Sequence, residues 1–302
     1  MTASSPRCRA VLCLGRIYCD LVFRGLGSMP RLGHEVFAEA FALLPGGGAL
    51  ITAAHLASLG RKAAPVARFG TDALSVALFD EIAALGLDLR FLDRHASAGP
   101  QLTVVMVEQD DRAFLSRRAG HARPDSFDAA LIWPEAGHLH IAEYATLHEM
   151  PDAIAAAKAR GFSISLDPSW DDRLIRDPAF FERAAGVDIF LPNLAEAQAL
   201  TGLTAPRDAL AALQRRFPVV ALKCGADGAM LATGGAILRL PSPRVSVVDT
   251  TGAGDAFNAG FLNAWLDGAP PEESLAAAVD AGARSVQAAG GTGSLRGAQA
   301  TP

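Results

Sequence analysis

Short apolar runs alternate with Ala- and Leu-rich stretches along most of this chain. Ala10–Leu14 predicts a buried first strand, and Leu50–Leu59, following the glycines at 46–48, predicts a helix. Ala64–Phe69 reads as a strand and Ser75–Leu85 as a helix stopped by Gly86. Leu139–Ala142 is a strand, Pro151–Arg160 a helix capped by Gly161, and Ser163–Leu166 a strand closed by Asp167-Pro168. Ile189–Leu191, Val219–Lys223 and Ala229–Ala232 continue the series, and Asp280–Ala289 predicts a last helix before Gly290-Gly-Thr-Gly293. Strands alternating with helices imply an α/β fold whose mostly parallel sheet is covered on both faces.

Two segments interrupt the rhythm. Ile17–Leu44 is rich in Gly, Arg and Pro, with alternating pieces such as His34–Ala40. Leu102–Glu108 and Arg112–Arg117 read as two strands around the turn Gln109-Asp110-Asp111. These segments, 17–44 and 102–118, predict a small β lid over the C-terminal strand ends of one domain spanning 1–302. Residues 1–9 read as a short disordered tail without the apolar region of a secretory signal.

Composition narrows the function classes. The 302 residues are 50% hydrophobic and 20% charged with a net charge of -5, enough apolar material for one large domain. No basic stripe suggests nucleic acid, and no long uncharged apolar run suggests a membrane span. Cys8, Cys13, Cys19 and Cys224 form no C-x-x-C pair and read as reduced thiols of a cytoplasmic protein.

Asp249-Thr-Thr-Gly-Ala-Gly-Asp255 carries the most chemistry. It stands between a Val-rich segment (Val245, Val247, Val248) and the apolar run Ala256–Trp265, which reads as strand, glycine turn and helix. The unpaired amides at a helix start and the helix dipole favour an anion there. An acid inside such a turn makes sense if it takes a proton from an attacking hydroxyl. Neither a G-x-x-x-x-G-K-[ST] loop nor a G-x-G-x-x-G fingerprint is present, so phosphate chemistry requires another architecture.

Asp249–Phe257 with Asn258-Ala-Gly-Phe261 resembles the C-terminal signature of the ribokinase-like, or PfkB, family of carbohydrate kinases. Pro45-Gly46-Gly47 before an Ala-rich helix resembles the N-terminal signature. Phe69-Gly70-Thr71-Asp72, Leu85-Gly86-Leu87-Asp88 and Leu166-Asp167-Pro168 with Trp170 resemble the landmarks between. Asn193-Leu-Ala-Glu196 resembles the N-x-x-E motif, and Lys223-Cys-Gly225-Ala-Asp-Gly228 the nucleotide-phosphate turn. The resemblance implies a ribokinase-like three-layer sandwich with a mostly parallel central sheet and a small β lid. It also implies an ATP-dependent phosphotransferase acting on a small sugar or related polyol.

Roles follow from the resemblance position by position. Asp255 would be the general base, and Gly252, Ala253 and Gly254 the amide hole for the transferring phosphoryl group. Asn193 and Glu196 would hold hydrated Mg²⁺; Lys223, Gly225 and Gly228 would border ATP. The carbonyls of Asp249 and Thr251, with Ser294, would sit near a monovalent cation such as K⁺. Asp20, Gly46, Gly47 and Glu143 would meet the acceptor, and the lid would form a homodimer face. Partners would be a sugar or nucleoside and ATP, not nucleic acid or membrane.

The family often carries Asn where this chain has Ile51, which suggests an apolar wall at the acceptor and keeps a nucleoside kinase or a deoxy-sugar acceptor open. The Gly that usually follows the Gly70-Thr71-Asp72 landmark is Ala73. A non-catalytic sugar or nucleotide sensor is the alternative from another class. His138-Leu-His140 resembles a strand-end H-x-H metal pair, but no spacing elsewhere supplies further ligands.

Overall fold

The computed structural model describes residues 9–108 and 111–295, so the expected tail and the tip of the 109–111 turn lie outside or at the edge of the described residues. The strands are β1 (Ala10–Leu14), β2 (Tyr18–Arg24), β3 (Ala40–Gly46), β4 (Ala63–Phe69), β5 (Leu92–Arg94), β6 (Leu102–Glu108), β7 (Asp111–Arg117), β8 (Ala136–Ile141), β9 (Ser163–Leu166), β10 (Ile189–Phe190), β11 (Val219–Lys223), β12 (Ala229–Thr233) and β13 (Ala236–Leu240). The helices are α1 (Gly48–Ser58), α2 (Ala73–Ala83), α3 (Phe127–Ala130), α4 (Tyr144–Glu149), α5 (Ala153–Lys158), α6 (Phe180–Arg183), α7 (Leu194–Thr201), α8 (Pro206–Gln214), α9 (Ala253–Leu266) and α10 (Pro271–Ser285).

Nine strands form one sheet in the order β13-β12-β11-β10-β9-β8-β1-β4-β5. Pairing is parallel from β11 through β5, and β12 and β13 add an antiparallel edge. Side chains alternate between two apolar layers. Leu12 and Leu14 of β1 join Phe127, Tyr144, Ile154, Phe180 and Leu210 on one face. Val11 and Cys13 join Ala53 and Leu56 of α1 and Phe257 and Phe261 of α9 on the other. This period-2 division of each strand between two helix layers is what a doubly covered sheet requires.

A second sheet, ordered β3-β2-β6-β7, gathers the two segments that broke the sequence rhythm. β2 runs parallel to β6 and antiparallel to β3, so residues far apart in the chain make one surface. The alternating piece His34–Ala40 is not a strand; pairing begins at Ala40 and runs to Gly46, two residues beyond the expected boundary.

Two other expectations need correction. Val245–Val248 is not a strand, for it has no sheet neighbour, and Val247 and Val248 are exposed. Its backbone turns instead onto the end of α10, where the amides of Val248 and Asp249 donate to the Val286 carbonyl at 2.7 and 3.1 Å. The last helix begins at Pro271 rather than Asp280 and ends at Ser285. Pro271 suits the first helical turn, and Glu272 and Glu273 complement its dipole.

Strand order reverses beside β1: the chain passes from β1 to β4 on one side and returns to β8 on the other. Ligands in open α/β sheets bind at such a switch point, beyond the C-terminal strand ends. Arg16 follows β1, Glu143 follows β8, Asp167 follows β9, and Lys223 ends β11.

Candidate active site

The turn before α9 is built for an anion. Gly252 takes φ 74°, a left-handed conformation that β-carbons disfavour. A β-carbon there would also lie 2.5 Å from Gly291 Cα. The amide of Ala253 donates a long 3.3 Å bond to the Thr250 carbonyl. No backbone acceptor takes up the amides of Gly252 and Gly254 among the described residues. Of the three expected donors, two are therefore open and one is partly engaged.

Asp255 lies in the first turn of α9 and keeps one accessible face. Its carboxyl is pressed close to Gly48, whose β-carbon would come within 2.9 Å of Asp255 Oδ1. Burial, reinforced by Asp167, pushes Asp255 up to about 7, against the pull of Lys223.

Lys223 is the hub beneath this turn. Its Nζ donates to Asp167 Oδ2 at 2.6 Å and to Asn258 Oδ1 at 3.3 Å. Asn258 Nδ2 donates to the same Asp167 oxygen at 2.6 Å. A β-carbon at Gly254 would lie in ordinary contact with the ammonium, 3.4 Å from Lys223 Nζ. Burial disfavours the charged ammonium, but Asp167 and Glu196 outweigh it and raise its pKa.

Asn193 and Glu196 open α7 as a capping box. Glu196 N donates to Asn193 Oδ1 at 2.9 Å and Asn193 N to Glu196 Oε2 at 2.7 Å. Burial, then Asp167, pushes Glu196 up to about 7. One oxygen of each side chain is thus committed to the backbone, and no group of three possible metal ligands exists among the described residues. These residues fit Mg²⁺ through bound water, the usual arrangement for an ion held mainly by phosphates.

A cleft of about 760 Å³ joins these groups; its walls include Asn193, Lys223, Gly225, Gly228 and Gly254. Val245, Val247 and Val286 line its apolar side, so the valines expected in a strand form a wall instead. Gly228 at φ 88° leaves no space for a β-carbon, which would meet the Leu240 carbonyl at 2.0 Å.

The other expected residues gather beside Asp255. Asp20 on β2 is buried against Gly46, where a β-carbon would fall within 1.9 Å of Asp20 Oδ2. Burial, then the charge of Asp249, pushes Asp20 up to about 7. Gly47, at φ 97°, caps α1 against the Arg16 carbonyl. Glu143 is buried, accepts from Thr146 Oγ1 at 2.7 Å and lies 3.9 Å from Arg16 Nε. Arg16 Nε has no hydrogen-bond partner among the described residues, while its Nη2 holds Glu149 at 2.7 Å. Arg118, reaching Asp171 at 2.7 Å, completes this side.

Asp249 accepts from Thr251 N and Gly290 N at 2.9 Å each, and from Arg24 Nη2 at 2.9 Å. Ser294 follows the second glycine turn, and its hydroxyl makes no hydrogen bond among the described residues. Asp249 and Thr251 are thus in contact, but Ser294 is not bonded to either.

Ile51 is not an exposed acceptor wall. It is 3% exposed and wedged between the two glycine turns, with Cγ2 3.2 Å from a β-carbon position at Gly252 and Cδ1 2.4 Å from one at Gly291. One helical turn on, His55 Nε2 bonds the Gly291 carbonyl at 2.9 Å. His138 and His140 are buried in a ladder with Ser163 and Ser165 at 2.7–2.8 Å. Sequence reasoning assigned no role to Asp167 or Asn258; the buried acid closing β9 and the Asn one helical turn after Asp255 were the available signals.

The arrangement belongs to a carbohydrate-kinase class of α/β protein. Residues 9–297 match the family model described as "pfkB family carbohydrate kinase", and the chain belongs to that family. It is 30% identical over 282 residues to a 2-dehydro-3-deoxygluconokinase of Bacillus subtilis, covering 85% of this chain and 84% of that protein. An ATP-dependent ribose-1-phosphate kinase of Halopiger xanaduensis is 28% identical, with 88% of each chain covered. The crystal structure of a PfkB protein from Polaromonas sp. superimposes with a TM-score of 0.75 at 28% identity, covering 97% of this chain and 100% of that one. The fold is accordingly ribokinase-like, and the chain is a sugar-kinase-family enzyme.

Proposed function

We propose that this enzyme transfers the γ-phosphoryl group of ATP to a hydroxyl of a small sugar or related polyol, with Asp255 as general base. The observation that carries the reading is the half-buried Asp255 carboxyl beside two open turn amides and Lys223. Its relatives' names supply the acceptor class, a sugar or sugar derivative, and in one case ATP as donor.

Asp20 and Glu143 accept hydrogen bonds from acceptor hydroxyls and orient one of them toward Asp255. Asp255 takes that hydroxyl's proton as its oxygen forms the new bond to phosphorus. The bond from phosphorus to the bridging oxygen breaks, and ADP leaves with that electron pair. The amides of Gly252 and Gly254 face the phosphoryl oxygens, while Gly225 and Gly228 let the nucleotide lie against the backbone. Mg²⁺, when bound through water at Asn193 and Glu196, supplies charge that offsets the phosphates. The small sheet serves as a lid over the acceptor. Its exposed Phe41, Phe114 and Leu115, with Phe37 just before β3, support the reading that two copies pair through it. A cytoplasmic enzyme is the setting that ATP and reduced thiols suit.

An acceptor panel of ribose, fructose, 2-keto-3-deoxygluconate and nucleosides, with coupled ADP detection, tests this. ADP release that depends on one of the sugars is expected. Tight sugar or nucleotide binding without ADP release would replace the enzyme by a sensor.

A further inference from the structure

Asp249 is the node between the two glycine turns. Its carboxylate is 7% exposed, and it holds one amide from each turn, Thr251 N and Gly290 N. A buried carboxylate needs a counter-charge. Here that charge comes from the other sheet: Arg24, the last residue of β2, contacts Asp249 Oδ2 at 2.9 Å, and Arg112 of β7 lies 3.9 Å from Oδ1. Burial works against the ionised form of Asp249, but the Thr251 and Gly290 amides and Arg24 overcome it and hold its pKa below the ordinary value.

The Asp249 carboxylate is therefore not available to the monovalent cation implied by the family resemblance, although the Asp249 and Thr251 carbonyls accept no hydrogen bond among the described residues. Both carboxylate oxygens of Asp249 already accept hydrogen bonds, two guanidinium groups stand beside them, and Ser294 is bonded to neither Asp249 nor Thr251. A potassium ion held by those carbonyls would have to do without the carboxylate and would stand beside positive charge.

We infer that Arg24 is a positioning residue that supplies, from the small sheet, the counter-charge for Asp249 that a monovalent cation would otherwise provide. Arg24 lies four residues after Asp20 on the same strand, hence on the same face of β2. The acid offered to the acceptor and the guanidinium that steadies the phosphate turn therefore move together. Placing the small sheet over an acceptor also sets the 249–254 turn. This last consequence rests on the kinase reading; the charge substitution does not.

The test compares wild type, Arg24→Met and Arg24→Lys in choline, sodium and potassium chloride of equal ionic strength. Melting temperature is read without substrates, so failure of the kinase reading leaves this arm intact. Wild type and Arg24→Lys should melt alike in all three salts. Arg24→Met should melt lower in choline and recover about 2–4 °C in potassium, as a cation takes the vacated place. With an acceptor that turns over, Arg24→Met should lose roughly tenfold in kcat with the KM for ATP nearly unchanged, and potassium should restore it, a pattern of lost transition-state positioning. A potassium-responsive wild type overturns the inference. So does an Arg24→Met protein indifferent to potassium, or an Arg24→Lys protein that behaves like Arg24→Met.

Discussion

The proposed phosphate and acceptor halves of the site balance charge in opposite ways. On the phosphate side Asp167, Glu196 and Asp255 converge on one ammonium, Lys223, which of these three acids bonds only Asp167 directly. On the acceptor side Arg16 pairs with Glu149 and Arg118 with Asp171, each at 2.7 Å. The first group is left with an excess of acid, and two of its carboxyls are pushed up to about 7. The second pairs its arginines, with hydrogen bonds and Arg118 overcoming burial to hold Asp171 below the ordinary value, and leaves Asp20 as an acid unpaired among the described residues and pushed up to about 7. An acid-rich half is unfinished without added positive charge, whereas a mostly paired half can serve to recognise shape, with its one spare acid left for hydroxyls. The difference suits a site that receives magnesium with its nucleotide on one side and a polyol on the other.

The sharpest way to break this contrast is Lys223→Met, which removes the shared counter-charge at similar volume. Leaving Asp167 buried without its ion-pair partner should cost about 3–5 kcal/mol. That corresponds to a fall in Tm of at least about 6 °C by thermal denaturation. An equivalent deletion on the other side, Arg118→Ala, removes a partner from the less buried Asp171 and should cost about 1 kcal/mol or less. If the two variants melt together, the halves do not differ as described.

Next in size is Asp255→Asn, which keeps the shape and removes the proposed base. Steady-state assays should show kcat reduced by at least about 100-fold, with nucleotide binding by titration calorimetry largely retained. Turnover within about threefold of wild type would remove Asp255 from its role.

A subtler discrimination uses pH. Protonated Asp255 is favoured by the fold, so stability from this group is greatest below its unfolded value of 3.8 and is lost as pH rises toward about 7. The Tm advantage of Asp255→Asn over wild type should therefore grow between pH 5 and pH 8. Since the base must be ionised, kcat/KM should rise over the same interval. Asp20 and Glu196 are also pushed up to about 7, so that limb belongs to the cluster rather than to one residue. A Tm difference that is flat with pH would show that Asp255 is not held protonated by burial.

The phosphate half was legible in the chain because backbone does its work. A turn that needs Gly252 at φ 74° and open amides is written as closely spaced small residues, Gly252-Ala253-Gly254, and Asp255 sits three residues after Gly252. The parallel sheet was legible for a similar reason: strands covered on both faces read as continuous apolar runs. Of the acceptor half, the chain offered Asp20, Gly46, Gly47 and Glu143 but not Arg16, Tyr18 or Arg118. Arg16, Tyr18, Arg118 and Glu143 meet only because β2 pairs in parallel with β6 and β8 packs beside β1, and no local pattern announces such meetings. The valines at 245–248 misled for the complementary reason, since β-branched residues suit an apolar ligand wall as well as a strand.

Ile51 gives the finest test, because it separates a sequence inference from the structure. Read as an acceptor wall, its replacement should alter which acceptor is used. Seen between Gly252 and Gly291, it is a spacer that holds two turns apart, and its Cδ1 is the atom nearest the Gly291 side. Ile51→Val removes that atom alone. The cavity should cost about 1 kcal/mol of stability. Because the slack falls on the amide turn, kcat should drop a few-fold while the KM of the acceptor and the order of preference across the acceptor panel stay the same. A changed order of preference with unchanged kcat would return Ile51 to the acceptor wall. It would then place substrate choice, as well as transfer chemistry, at the base of the same turn.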